Sequence, residues 1–239
     1  FTLPYVLPTD IKQLDYFFKN SKAITQMLPP IFNKHGLELL SVFPEGEMAV
    51  TTFVPFHSPS DLKGKKIRVM PGSPILVETY KAFGASPVPM SWGDLIGALK
   101  TNMVDGQENP TVWIEAYDLD NLTKVLTYTG HGHFNASASA NKGFFDGLSE
   151  RDKKLVRSAA AHAHQVILSE AQKLDAYGVG RIVRTNPGYQ IVTLTESERG
   201  PFIKAASVVQ SSFAAKSASN KKILDQLMAD LKEAQTKAK

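Results

Sequence analysis

Apolar residues recur at helical spacing near the start of the chain, where Ile11, Leu14, Phe17 and Phe18 follow Thr9, a residue type that caps helix starts. The pattern continues through Ile24, Met27 and Leu28, is disturbed by Pro29 and Pro30, and ends near His35 and Gly36. Two runs of strand length follow, residues 37–43 and 48–53. Residues 59–64 read as a turn and 66–70 as a strand. Pro71 and Gly72 break that strand, and Ser73 with Pro74 opens a helix ending at Gly84. Ser91, with Asp94 three residues on, starts another helix whose predicted buried stripe is Leu95, Ile96, Leu99 and Met103. Residues 125–128 and 191–194 are further strand candidates. Ser149 and Asp152 open a long helix with Leu155, Ala159, Ala163, Val166, Ile167 and Leu174 on one face until Gly178. At about 28 residues it spans roughly 42 Å, enough to back more than one lobe. An amphipathic helix from Asn220 carries Leu224, Leu227, Met228 and Leu231. Strands alternating with helices predict an α/β fold.

Composition narrows the classes. A chain of 239 residues, 43% hydrophobic and 21% charged, suffices for one large domain or two modest lobes with real cores. No apolar run approaches the roughly 18–20 residues of a membrane span. The sequence has no cysteine, which excludes disulfides, thiolate metal sites and a cysteine nucleophile. Net charge is +4, spread along the chain. Its densest basic cluster, Lys63, Lys65, Lys66 and Arg68, is interrupted by Gly64 and Ile67, unlike a nucleic-acid-binding arm, and no nucleic-acid partner is expected. Residues 1–8 have neither a charged n-region nor a small-residue cleavage site, so they read as a buried turn or strand end and not as a signal peptide.

Arg68 is the most informative charge. In a strand, Ile67 and Val69 point one way and Arg68 the other. It lies near the strand's C-terminal end, just before a helix N-terminus that starts at Ser73, where open α/β sheets collect ligands and where anions are favoured. Its planar fork matches a carboxylate. The same pattern also fits an exposed arginine paired with a nearby acid. The stretch from Asp105 to Pro110 reads as a polar turn with Gly106 just past a helix end, which leaves the succession Gln107, Glu108, Asn109 unaccounted for. Asn109 both donates and accepts, which suits a hydroxyl or carboxylate. Trp92 at a helix start either packs in the core or walls a pocket; Trp113 and Glu115 follow the same turn. Among the histidines, His131 and His133 lack an obvious third metal ligand, and His162 and His164 fall on different helix faces. No metal site, cofactor or nucleophile–base pair is expected.

The stretches 61–69 and 105–110, with 84–90 and 99–103 between them and the opening residues Phe1 to Tyr5, resemble the periplasmic solute-binding proteins of TRAP transporters, the dicarboxylate-binding DctP-like group. The resemblance implies a two-lobed binding-protein fold of type II-like form, with crossing strands and a long backing helix. Residues 1–45 and 134–175 would form one lobe, and 46–133 and 176–239 the other. It implies that Arg68 matches the family's carboxylate-binding arginine, that Asn109 and Trp92 match its pocket asparagine and aromatic, and that Met48 stands where many members carry a second arginine. A monocarboxylate is then expected in preference to a dicarboxylate. With Ser73, Glu115 and Tyr5, these are the candidate ligand contacts. The implied partners are a small organic acid and a TRAP membrane permease, the implied location is the periplasm, and the chain is expected to be monomeric. The resemblance also implies an opening strand–helix–strand segment ahead of Phe1, so the first lobe is expected to be incomplete. The alternatives are a ligand-sensing or scavenging module without a permease, and a histidine-based metal enzyme.

Overall fold

The computed structural model describes residues 2–238, so the expectation for Phe1 lies outside the described residues. In chain order the helices are α1 (Ile11–Asn20), α2 (Leu28–Lys34), α3 (Pro74–Ala82), α4 (Trp92–Lys100), α5 (Thr111–Ala116), α6 (Lys142–Asp146), α7 (Glu150–Thr185), α8 (Glu196–Ala215) and α9 (Ala218–Lys237). The strands are β1 (Leu37–Thr52), β2 (Lys66–Val69), β3 (Ser86–Pro89), β4 (Gly106–Pro110), β5 (Val125–Asn141) and β6 (Gln190–Thr193). They form one sheet in the order β3-β2-β4-β1-β5-β6. The fold is α/β, as expected, with β2 parallel to β3 and β4, and the long strands β1 and β5 antiparallel to each other.

Several elements differ from the expectations, each for an identifiable reason. The first helix is capped by Asp10, not Thr9: its carboxylate accepts from Gln13 N at 3.0 Å. The apolar pattern through Leu28 is not one helix, because the chain breaks at Ser21. The buried carboxylate of Asp230 on α9 accepts from Ser21 Oγ at 2.7 Å and Ala23 N at 3.0 Å, anchoring a π-helical turn, Ala23–Met27. The two short strands expected at 37–43 and 48–53 are a single strand of 16 residues, and its partner β5 runs 17 residues instead of four. Register shifts between Leu39 and Ser41, Pro44 and Gly46, and Glu47 and Ala49 absorb Pro44 and Gly46 as bulges, which bend a strand without ending it.

Residues 106–110 of the expected turn are instead a strand buried at every residue. Gly106 serves the sheet and not a helix end, because a Cβ there would lie 2.2 Å from Thr51 O. The helix before it ends instead near Asn102, which takes positive φ. In the α4 stripe Leu95 and Leu99 are buried, whereas Ile96 and Met103 are exposed. The long helix α7 has 36 residues, about 54 Å. The stripe expected to be its apolar inner face leaves Leu155, Val166 and Leu174 exposed; the residues it buries include His164, Leu168, Gly178 and Ile182.

Three hydrophobic clusters hold the fold. One joins α1, the start of β1 and α9 through Phe17, Phe18, Val42 and Leu227. A second packs α3 and α8 on the sheet through Ile67, Tyr80, Phe83 and Phe202. The third packs α4 and α5 on it through Leu95, Leu99, Ile114 and Leu126. Residues 3, 6 and 7 are buried in the first cluster, in line with the buried turn expected there.

Candidate functional site

The strands β2, β3 and β4 run parallel, so their C-terminal ends share one edge, and α3, α4 and α5 follow those ends. A cavity of about 400 Å³ opens at that edge. Arg68 reaches it from β2, Trp92 from the first residue of α4, and Glu108 and Asn109 from β4. Trp113 and Tyr117 of α5 form one wall, and Met48 of β1 and Phe134 of β5 another.

Arg68 is only 4% exposed although its strand is four residues long, because β3 and β4 flank it on both sides. Its Nε donates to Met90 O at 2.9 Å and its guanidinium lies 5.7 Å from the Trp92 ring centroid. These contacts fix the plane of the fork at the cavity. Burial pulls the guanidinium pKa below its usual value, and the carboxylate of Glu108 opposes that shift. Asn109 Nδ2 donates to Gln107 Oε1 at 2.5 Å, and Gln107 Nε2 donates to Thr51 Oγ1 at 3.0 Å, so the amide that faces the cavity is oriented from the strand behind it. The aromatic wall is ordered too: Trp92 and Tyr117 meet edge to face at 5.0 Å and 87°.

The structure brings Arg68, Asn109, Trp92 and Met48 of the sequence candidates to one cavity. The other three lie elsewhere. Ser73 precedes α3 without a side-chain capping bond and does not line the cavity. Glu115 is ion-paired with Arg181 of α7. Tyr5 takes positive φ, donates its hydroxyl to Thr129 O at 3.0 Å and stacks under Arg199. Tyr117, Phe134, Met70 and Leu76 also line the cavity, and sequence reasoning did not mark them. Only the unexplained run Gln107, Glu108, Asn109 signalled a buried polar strand.

The histidines are engaged in structure. His131 Nδ1 lies 2.5 Å from Thr129 Oγ1 and its Nε2 lies 3.3 Å from Glu108 Oε2, while His133 Nε2 lies 3.2 Å from Pro8 O. Among the described residues no group of three or more histidine, cysteine, aspartate or glutamate side chains is placed to hold a metal ion. Among the described residues no helix is long and apolar enough to cross a membrane. A second cavity of about 210 Å³ is lined by Glu47, His133 and Asp175 of α7.

A cleft lined by Arg68, Glu108 and aromatic side chains at the ends of parallel strands, crossed by two long strands and backed by a long helix, is the arrangement of a solute-binding protein. The chain belongs to the family described as bacterial extracellular solute-binding protein, family 7 (DctP), which matches residues 1–217. It is similar to the ectoine/5-hydroxyectoine-binding periplasmic protein UehA of Ruegeria pomeroyi, with 44% identity over 97% of this chain and 68% of that protein. The ectoine-binding periplasmic protein TeaA of Halomonas elongata is 41% identical over 100% of this chain and 70% of its own length. The solved structure of the periplasmic ectoine-binding protein of the TeaABC TRAP transporter superposes with a TM-score of 0.94, covering 98% of this chain and 75% of that one. The protein is thus a TRAP-type periplasmic solute-binding protein for small organic ligands, with a two-lobed binding-protein fold.

Proposed function

We propose that the chain captures a compact organic acid with one carboxylate, of the kind ectoine represents, and delivers it in the periplasm to a TRAP permease. The observation that carries this reading is Arg68: a buried guanidinium, held in plane by Met90 O and Trp92, at a cavity where Met48 and Phe134 supply apolar surface opposite. The ligand's carboxylate takes the Arg68 fork and the Asn109 amide. Its ring packs between Trp92, Trp113 and Tyr117, whose faces attract a delocalised cation such as an amidinium. With Met48 on the far wall, a second carboxylate would be buried without a partner, which disfavours dicarboxylates.

Residues 1–45 with 134–175 and residues 46–133 with 176–239 form the two lobes in this reading, save that α9 packs against α1 and the start of β1 in the first. The cavity draws Met48 and Phe134 from the crossing strands at that division. A thermal-shift screen of organic acids tests the class: ectoine should raise the melting temperature, whereas succinate at equal concentration should leave it within about a degree. A larger shift with succinate would overturn the single-carboxylate reading.

A further inference from the structure

Glu108 reaches the main cavity from β4. Its side chain is 2% exposed; Oε2 accepts from Tyr80 Oη at 2.8 Å and lies 3.3 Å from Nε2 of the buried His131. Oε1 is equally buried and has no hydrogen-bond partner. A carboxyl oxygen kept out of water without a hydrogen-bond partner is costly, so such an atom calls for a partner that arrives. Beside it lies a small chamber of about 50 Å³, which shares Met48, Met70, Leu76, Glu108 and Phe134 with the main cavity. The two spaces are therefore an outer and an inner part of one site, with the flexible thioether chains of Met48 and Met70 lining both. Among the described residues that line the main cavity, Arg68 and Glu108 are the two that carry opposite full charges.

We propose that Glu108 is a second polar anchor: its Oε1 accepts a hydrogen bond from a cationic N–H of the ligand that enters the inner chamber. The site then holds a zwitterion at both ends, the carboxylate on Arg68 and the nitrogen on Glu108, and discriminates against a plain carboxylate of the same size. This inference rests on the carboxylate reading of Arg68.

Calorimetry with two probes tests it: ectoine, a cyclic carboxylate with an amidinium, and cyclohexanecarboxylate, which has the ring and carboxylate but no N–H. The wild-type chain should bind ectoine at least tenfold more tightly. Glu108→Gln should weaken ectoine tenfold or more and leave cyclohexanecarboxylate within about threefold. Unchanged ectoine binding, or an equal loss for both probes, would overturn the anchor role. Arg68→Lys separates the two readings, because it should weaken both probes together; if it weakens neither, the carboxylate reading fails, whatever Glu108→Gln does. If Glu108→Gln does not fold, the wild-type preference decides, and equal affinity for the two probes contradicts the proposal. A wild-type chain that takes neither probe contradicts both readings.

Discussion

Arg68 and Glu108 line one cavity from the neighbouring strands β2 and β4, yet Arg68 Nε is committed to Met90 O and Glu108 Oε2 to Tyr80 Oη. Arg68 is thus held by a carbonyl, and Glu108 by Tyr80 with His131 Nε2 3.3 Å from the same oxygen, so each keeps hydrogen-bonding capacity for a ligand. This arrangement differs from a structural ion pair, in which the two groups would satisfy each other.

The backbone around this pair tolerates little change. A methyl group at Gly106 would meet Thr51 O at 2.2 Å, in the middle of the sheet where neither strand can retreat. Gly106→Ala is expected to destabilise the fold by at least about 2 kcal/mol, as overpacking against backbone does. Chemical denaturation would show it as a lower midpoint with an unchanged slope.

At the other end of the molecule, Asp230 holds the break between α1 and α2. It is 5% exposed and accepts from Ser21 Oγ, Ala23 N and Gln226 Nε2. Asp230→Ala strands the Ser21 hydroxyl and the Ala23 amide in a dry site, at a cost of about 2–4 kcal/mol. Asp230→Asn, which keeps an acceptor, should lose less. Equal losses in thermal unfolding would contradict this account.

Asp175, beside the second cavity, gives a pH dependence. Burial raises its carboxyl from 3.8 to about 6, against the hydrogen bonds from Val112 N and Glu47 N. The unfolded chain releases this proton near pH 4 and the folded chain near pH 6, so in between the native state holds more protons. Its contribution to stability is therefore lost as pH rises through that window. Asp175→Asn should melt higher than wild type at pH 7, with the difference vanishing below about pH 4. His133 works in the opposite direction, because burial lowers its pKa to about 4, so stability falls as pH drops from 6.5. The Asp175 effect is therefore read as the difference between variant and wild type, not from the wild-type profile alone.

Much of the site was legible because its placement follows from local rules. A short strand, read as 66–70 and broken by Pro71 and Gly72, put Arg68 near a strand terminus, and strand alternation set it apart from Ile67 and Val69. The strand β4 was hidden because Gln107, Glu108 and Asn109 have poor strand propensity; they belong to the sheet through ladder bonds to β1 and β2, and the Gln107 amide is satisfied by Thr51 and Asn109. Proline and glycine likewise disguised the crossing strands, since Gly46, Gly130 and Pro44 read as terminators but act as bulges and bends. The helix α8 escaped notice because Gly200 and Pro201 lie inside it, and a proline within a helical pattern ordinarily marks its end. Tyr117 and Phe134 reach the cavity only through tertiary packing, for which the sequence holds no local signal.

The most direct measurement is calorimetric titration of ectoine into the wild-type chain and into Arg68→Ala. Removing the partner of a buried charge typically costs about 3–5 kcal/mol, so the variant should bind at least a hundredfold more weakly while remaining folded. Affinity within about threefold of wild type would contradict the assignment of Arg68 as the carboxylate anchor.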